Sequence, residues 1–443
     1  MQNLQSRWKY LIAVVFVAIV CLRLFVDFKL SGIPLFYDQP YYNADALRFL
    51  NGEKFVSQWP PGLPLYLAGI YYFAGVSSLI GHLGMFALGL LSLLLVYLLS
   101  VQLGLAKRTA IIAVLLMGAM PGSFYYTGAL VTQTPTAILL CIMALFLLKD
   151  RESGGQLYLA LASASCGLLT LMRAGGIFLF PVLLILGLYG RKSIVKRSLL
   201  ATLPFSVIVG MWVAHLWLLS GKFIFINTYN TYNLFVGNNP FMNQFRTWEL
   251  AMSPELAQKA SHMIPGLLSM NASQQEAAYF HTAIKYIISR PDLFFFRVIA
   301  RSMTFWAFDT NAGSTILRLN LLSNNASVFF LAADAVANLF VILLIFISPV
   351  FMKINKKFLV PFLLAFGYMS QFLLAFSHPS YHYPVLVLLA PIAAGTLSTL
   401  MSLGAKESYE KIKANRTGVI LIAFFIIIQA TWVYSMSNRF HYL

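Results

Sequence analysis

Runs of about 20 apolar residues recur along this chain of 443 residues, and each run is long enough to cross a bilayer as a helix. The sequence is 59% hydrophobic and 10% charged, with a mean hydropathy of +0.77. Soluble domains are about 45–50% apolar and about 25% charged, and a membrane β-barrel has short alternating segments instead. The pattern therefore predicts an all-α integral membrane protein.

The basic residues are placed in a way that indicates topology. More than half of the 31 lysines and arginines lie at the N-terminus or in short polar breaks between apolar runs. Such clusters face the cytoplasm and contact anionic lipid. The net charge of +17 therefore predicts contact with membrane lipid and no binding of nucleic acid. Cys21, Cys141 and Cys166 lie in apolar runs, without the spacing of a metal site or a disulfide framework.

The apolar runs and the basic clusters together predict about eleven transmembrane helices, with the N-terminus in the cytoplasm and the C-terminus outside. Residues 63–80 are apolar enough to cross, but a crossing there would put five later basic clusters outside, so an interfacial or re-entrant helix is expected. Residues 1–443 are expected to form a single unit. The predicted spans are residues 10–26, 81–103, two within 109–148 (broken near 121–127), two within 157–189 (broken near 173–176), 198–219, 328–351, 358–376, 384–403 and 417–435.

Two polar regions, residues 28–80 and 220–325, are then expected on the outer face, each carrying interfacial helices. The larger region has an apolar stripe over residues 276–288, a break at residues 290–292 and a second amphipathic piece at residues 293–308. The smaller region holds three of the 14 acidic residues. A carboxylate at the boundary of water and lipid is where we expect chemistry.

Asp38 is the first of these carboxylates. It follows the first span closely and suits a general base toward a hydroxyl, or a metal ligand; a solvated loop carboxylate or a helix N-cap fits equally. Asp45 shares a helical face with Asp38, and it also stands where it can pair with Arg48. Gln58 begins the rigid turn Gln-Trp-Pro-Pro-Gly-Leu-Pro, which suits either the floor of a pocket or the start of a helix.

Amides and cations make up the remaining candidates. Asn238 and Asn239 end a segment, residues 227–240, whose amides and tyrosines suit sugar hydroxyls, although the same residues also form a turn. The cations on the outer side suit a lipid phosphate, with headgroup snorkelling as the alternative for each arginine. An intramembrane carboxylate, Asp334, is expected to pair with a cation such as Arg173. The phosphate candidates are Arg173, Arg297, Arg301, His378 and His382.

Several of these segments resemble the GT-C class of glycosyltransferases that use polyprenyl-phosphate sugars, and within it the bacterial branch similar to protein mannosyltransferases and lipid A aminoarabinose transferases. No single motif is specific, but the matches run in order along most of the chain. They are Asp38, Tyr42, Ala46, Gly52 and Pro61-Gly62-Leu63-Pro64, then Asn233-Leu-Phe-Val-Gly-Asn-Asn-Pro240, Ile287 to Pro291 with Phe305-Trp306, and Tyr381 with Pro384.

The resemblance implies a sugar carried on polyprenyl phosphate, an acceptor that the sequence does not identify, and transfer with inversion at the outer face of a bacterial inner membrane. Asp38 would be the catalytic aspartate, acting as a base or through a divalent metal such as Mg²⁺ or Mn²⁺, with Tyr42 and Tyr381 beside the substrates. Three positions depart from the family: Gln39 and Gln133 stand where glutamate is frequent, and Ser380-Tyr381-His382 replaces a basic triplet.

Two other functions remain open from the sequence. A transporter or flippase predicts charges within the spans and repeated halves, and charges within the spans are scarce here. A polysaccharide polymerase or ligase would rely on the large outer region, residues 220–325, and would not need Asp38.

Overall fold

The computed structural model describes residues 2–437 except 243–244, 246–254, 256–257, 260–261 and 354. The regular elements of this described part are all helical, which confirms the predicted fold class. The α-helices are α1 (Gln2–Ser31), α2 (Gln39–Leu50), α3 (Gly62–Ala74), α4 (Ser78–Gln102), α5 (Lys107–Ala119), α6 (Pro121–Gly128), α7 (Gln133–Ser153), α8 (Gln156–Met172), α9 (Leu179–Leu188), α10 (Ile194–Ser220), α11 (Asn230–Gly237), α12 (Ala272–Ser289), α13 (Pro291–Phe305), α14 (Asn311–Arg318), α15 (Asn324–Phe346), α16 (Ser348–Phe351), α17 (Leu359–Leu374), α18 (Tyr383–Ala414) and α19 (Arg416–Ser437).

Six helical stretches of the described residues are long and apolar enough to cross a membrane, or seven if the bent pair α5–α6 counts as one span. The six are α4, α7, α10, α15, residues 379–414 including α18, and α19. Four shorter apolar helical pieces, α3, α8, residues 174–188 and α17, accompany them. A membrane protein with many helices is thereby confirmed, whereas the count of eleven spans stays a prediction.

Helices α7 and α18 form the centre of the molecule, and α10, α15 and α19 lie at its edge. Alanine, leucine and valine side chains of α7 and α18 are buried against each other and against α4, α5 and α8. The outer helices instead expose large apolar side chains, as α10 does at Leu199, Leu203 and Leu218. Apolar side chains on the outside of a helical bundle suit lipid as the surrounding solvent.

A bend of 73° separates α5 from α6 at Met120–Pro121, inside the break predicted near residues 121–127. Proline lacks the amide hydrogen that would continue the helix, so nearby carbonyls lose their partners. The guanidinium of Arg23 in α1 supplies donors there, to the carbonyl oxygens of Met117 and Gly118 at 3.1 Å each and to the hydroxyl of Ser123 at 2.6 Å. This buried arginine within the first predicted span therefore stabilises the bend between α5 and α6.

Three predicted basic clusters meet at one end of the bundle. Asp150 at the end of α7 binds Arg197 at 2.6 Å and Arg191 at 3.5 Å. Glu152, in the same turn, binds Lys357 at 2.5 Å. The clusters at residues 149–151, 191–197 and 353–357 therefore share one end of the molecule, as the positive-inside reasoning requires.

Helices α12 and α13 occur where the amphipathic stripes predict them, with Pro291 starting α13. Helix α13 exposes Phe295 and Ile299 on one side and buries Arg297 and Arg301 on the other. An apolar face of this kind suits the membrane interface. Helix α3 has 13 residues, fewer than the roughly 20 needed to cross, and its interfacial position stays a prediction.

Candidate functional site

A cleft of about 990 Å³ opens at the end of α7 opposite the ion pairs of Asp150 and Glu152. Gln133, the first residue of α7, lines it, so about 25–30 Å of helix separates the cleft from the basic end. Both polar regions contribute walls: residues 37–42 and 58–60 from the first, residues 225–234 and 309–318 from the second. Residues 172–178 and 371–381 add further walls, together with Tyr125, residues 131–132, Trp432 and Met436.

Asp38 lies in this cleft immediately before α2. Its side chain makes no capping hydrogen bond to α2, so the carboxylate is not used as the N-cap that the sequence also allowed. Tyr37 before it has a positive φ of 52°, a conformation that non-glycine residues adopt rarely and often at functional sites. Solvent reaches Asp38 through the cleft. Desolvation by the surrounding protein nevertheless raises the pKa of its carboxyl group, and the charge of Arg173 opposes that rise.

Arg173 forms the facing wall. It follows the last residue of α8 with an extended backbone, at the break predicted near residues 173–176. Its Nε donates to the hydroxyl of Thr132 at 3.0 Å and its Nη1 to the hydroxyl of Tyr368 at 3.2 Å, while the guanidinium lies 4.8 Å from the ring centroid of Tyr381. Its Nη2 has no hydrogen-bond partner in the described part of the chain. The side chain is therefore held in place with one edge free for an anion.

Four further predicted residues line the same cleft: Tyr42, Gln58, His378 and Tyr381. The ring of Tyr42 packs against Trp59 at 5.6 Å between centroids. His378 accepts the backbone amide hydrogen of Ser380 at 3.1 Å and so orders the turn before Tyr381. With Asp38 and Arg173, six of the twelve predicted site residues thus meet in one cleft.

Asp45, Asn238 and Asn239 lie outside the cleft. The carboxylate of Asp45 accepts a hydrogen bond from Ser57 and lies 3.6 Å from Arg48, the pairing that the sequence left open. The amide nitrogen of Asn238 donates to the carbonyl oxygens of Leu234 and Leu374, and that of Asn239 to Phe235 and Val236. These three side chains hold the loops behind the cleft, and we leave them out of the proposed site.

Arg297, Arg301 and His382 also lie outside the cleft, and most of their hydrogen bonds join them to the backbone. Arg301 donates to the carbonyl oxygens of Leu373, Leu374 and Gly237, and Arg297 to those of Gly237 and Met242. A side chain on Gly237 would collide with the carbonyl of Ala375, which explains the glycine in that motif. The ring nitrogens of His382 contact the carbonyl oxygen of Phe305 and the amide oxygen of Asn338. We therefore propose no contact between these three side chains and the lipid phosphate.

Asp334 does not pair with Arg173. Its carboxylate accepts the amide hydrogen of Gly122 at 2.7 Å and a side-chain hydrogen of Asn338 at 3.1 Å. Gly122 lies in the first turn of α6, where helical amide groups have no partner within the helix. The expected ion pair with a cation is therefore replaced by a cap on the bent helix.

Two features of the cleft escaped the sequence reasoning. Asp309 lines it as a second carboxylate, buried and held by the hydroxyl of Tyr126 and the backbone amide of Asn311. Burial raises the pKa of Asp309, and these hydrogen bonds oppose the rise. Its place in the short connection between α13 and α14, in a chain with so few acids, is the signal that would have drawn attention to it. Thr132, which positions Arg173, has no such signal.

The cleft does not fit a metal site made of protein ligands. The described residues contain no group of three or more His, Cys, Asp or Glu side chains that could hold an ion. The amide oxygen of Gln39 accepts the backbone hydrogen of Leu130 at 3.2 Å, and Gln133 adds no charge. Asp309 is already bound to Tyr126 and Asn311. We therefore derive no step through a metal.

Neither protein-family models nor curated protein sequences match the chain. Among solved structures it is similar to ArnT of Cupriavidus metallidurans bound to undecaprenyl phosphate, at 15% identity and a TM-score of 0.45, over 91% of this chain and 62% of that one. It is also similar to the oligosaccharyltransferase of Archaeoglobus fulgidus with zinc and sulfate, at 15% identity and a TM-score of 0.46, over 91% of this chain and 52% of that one. The chain thus spans about half to three-fifths of their lengths. At these values the similarities assign no function.

Proposed function

We propose that this chain is an integral-membrane glycosyltransferase that moves a sugar from a polyprenyl phosphate to an acceptor hydroxyl in the cleft. One observation carries the proposal: a carboxylate without a structural role, Asp38, and an arginine with a free edge, Arg173, face the same cleft and influence each other electrostatically. A base and an anion-binding group at one site are the two parts that such a transfer requires.

In the proposed reaction the acceptor hydroxyl gives its proton to Asp38 while its oxygen attacks the anomeric carbon of the sugar. The bond between that carbon and the phosphate oxygen breaks, and the phosphate leaves with the bonding electrons. Arg173 stabilises the negative charge that develops on the phosphate. A single displacement of this kind inverts the anomeric carbon. Desolvation makes Asp38 a stronger base, because it raises the pKa of its carboxyl group toward that of the hydroxyl whose proton it accepts.

The position of the cleft in the membrane suits a lipid-borne donor. The cleft lies at the end of α7 opposite the basic clusters, which by the positive-inside rule supports a site at the outer face. In a bacterial inner membrane that face is periplasmic. The exposed apolar side chains of α13 lie on the outer region that also supplies one wall of the cleft. A polyprenyl chain would remain in the lipid while its phosphate reaches Arg173.

The test is transfer of labelled sugar from a mixture of polyprenyl-phosphate sugars to membrane extract, using purified wild type, Asp38→Asn and Asp45→Asn. We expect Asp38→Asn to lose at least about a hundredfold in rate, the scale of a lost general base. Asp45→Asn is the matched control, because its amide still accepts the hydrogen of Ser57, and it should stay within a few-fold of wild type. Full transfer by Asp38→Asn, or no transfer by wild type from any donor, would reject the proposal.

A further inference from the structure

A wall of aromatic rings lines the cleft beside Asp38. The rings of Tyr41 and Trp59 are 5.8 Å apart and inclined by 32°, and those of Trp59 and Tyr229 are 5.4 Å apart and inclined by 30°. Three adjacent rings from two distant parts of the chain, each inclined by about 30° to the next, thus line one side of the cleft, and we call them the aromatic wall. Tyr41 is 55% exposed, so part of this wall is open to an occupant of the cleft.

Uncharged amides line the cleft beside the aromatic wall. The amide nitrogen of Asn230 donates to the carbonyl oxygens of Phe225 and Asn227 at 2.7 and 3.2 Å, which leaves its oxygen as an acceptor. The side chains of Gln58 and Asn233 make no hydrogen bond within the described residues, although both line the cleft. Each of these two amides therefore offers both donors and acceptors.

The wall and the amides together select a kind of ligand. Neither group carries a charge. A phosphate or an acidic peptide would therefore bind better at Arg173 than at the wall. An alkyl chain would displace water from the amides without replacing its hydrogen bonds, which is unfavourable. A pyranose ring satisfies both, because its C–H face packs on aromatic rings and its hydroxyls both donate and accept hydrogen bonds.

We propose that the aromatic wall, Tyr41, Trp59 and Tyr229 with Gln58, Asn230 and Asn233, binds a sugar ring. The proposal rests on the proposed function and extends it to the class of ligand. Asp38 and the three rings line the same cleft, so a sugar ring bound to the wall shares that cleft with the proposed base. The ring belongs either to the acceptor, which is then a glycan, or to the sugar of the donor.

Binding measurements on the full chain in lipid nanodiscs distinguish these sources. The probes are polyprenyl phosphate without sugar, polyprenyl-phosphate hexose, and a panel of neutral oligosaccharides. The variants are Tyr41→Ala, Tyr41→Trp and, as a matched control, Tyr72→Ala, whose side chain is 74% exposed on α3 and does not line the cleft. Thermal unfolding of each variant checks that the fold is retained.

We expect Tyr41→Ala to weaken binding of the sugar-bearing ligand by about five- to tenfold, the scale of one aromatic contact, with Tyr41→Trp close to wild type. Loss for the oligosaccharides alone identifies a glycan acceptor, and loss for the polyprenyl-phosphate hexose alone identifies the sugar of the donor. Polyprenyl phosphate without sugar should bind every variant equally.

Three results would overturn the proposal: no binding of any sugar-bearing probe to wild type, equal affinities for Tyr41→Ala and Tyr72→Ala, or an equal loss of the sugar-free lipid. Failure of the transferase proposal has a different signature, because sugar binding that depends on Tyr41 would persist while Asp38→Asn and wild type show the same transfer.

Discussion

Arg173 and Arg301 look alike in the sequence, and the structure uses them differently. Arg301 directs Nη1 to the carbonyl oxygens of Leu373 and Leu374, and Nη2 to Gly237 and the side chain of Asn238. Within the described residues Arg173 donates hydrogen bonds to two hydroxyl groups, and it lines the cleft. Arg301 thus satisfies backbone carbonyls, and Arg173 keeps one nitrogen for the anion that we propose.

The difference teaches that charge alone does not identify a phosphate site. A buried arginine must satisfy up to five donors, and backbone carbonyls can take all of them. Among the described residues each arginine has one guanidinium nitrogen without a partner, Nη2 in Arg173 and Nε in Arg301, but only Arg173 lines the cleft, whereas Nε of Arg301 is buried. A free donor on a residue that lines a cleft is therefore a better guide to anion binding than charge or burial.

The largest effect is expected for Arg173→Gln. Removing the cation that faces the departing phosphate should slow transfer by about a hundred- to a thousandfold, as for the loss of one charge-stabilising donor. Steady-state transfer and binding of polyprenyl phosphate measure this change. Arg173→Lys should recover only part of the rate, because one ammonium cannot bind Thr132, Tyr368 and a phosphate with the same geometry. Unchanged transfer in Arg173→Gln would remove the contrast with Arg301.

Arg301→Met should act on stability instead. The carbonyls of Gly237, Leu373 and Leu374 lose their donors, and we expect the free energy of unfolding to fall by about 2–4 kcal/mol. Denaturant unfolding in detergent measures it. Arg290→Met is the control, because its ion pair with Asp292 is exposed and should contribute little to stability. A stable Arg301→Met protein that has lost donor binding would reverse the roles assigned to the two arginines.

The smallest effect concerns pH. Asp38 acts as a base only when deprotonated, so transfer should fall as the pH drops through its raised pKa. Arg173 lowers that pKa, and Arg173→Gln should therefore move the acid limb of the kcat/KM profile to higher pH. The residual activity of Arg173→Gln across the acid range measures the shift, with Arg301→Met unshifted for comparison. An acid limb at the same pH in Arg173→Gln and wild type would contradict the coupling between the two groups.

Hydropathy predicted the helical membrane fold because apolar length is a local property of the chain. The breaks near Pro121 and Arg173 followed from the same local rules, and Asp38 stood out because acids are scarce here. The roles of Arg301 and His382 did not follow, since they depend on carbonyls more than 60 residues away in the chain. The aromatic wall followed only in part: the tyrosines and amides of residues 227–240 were predicted to suit sugar hydroxyls, but the contact of Trp59 with Tyr229 exists only in the folded chain.

Helix α7 also fixes the distance between the two ends of the molecule. Its 21 residues span about 30 Å, close to the thickness of the hydrocarbon layer. One end is pinned by the ion pair of Asp150 with Arg197 at 2.6 Å, and the other by Thr132, which receives the hydrogen bond of Arg173. Because both ends of α7 are fixed in this way, a change in membrane thickness cannot move one end without the other. We expect the whole molecule to tilt instead. The depth that we propose for Asp38 in the membrane would thus be set by contacts at the opposite end of α7.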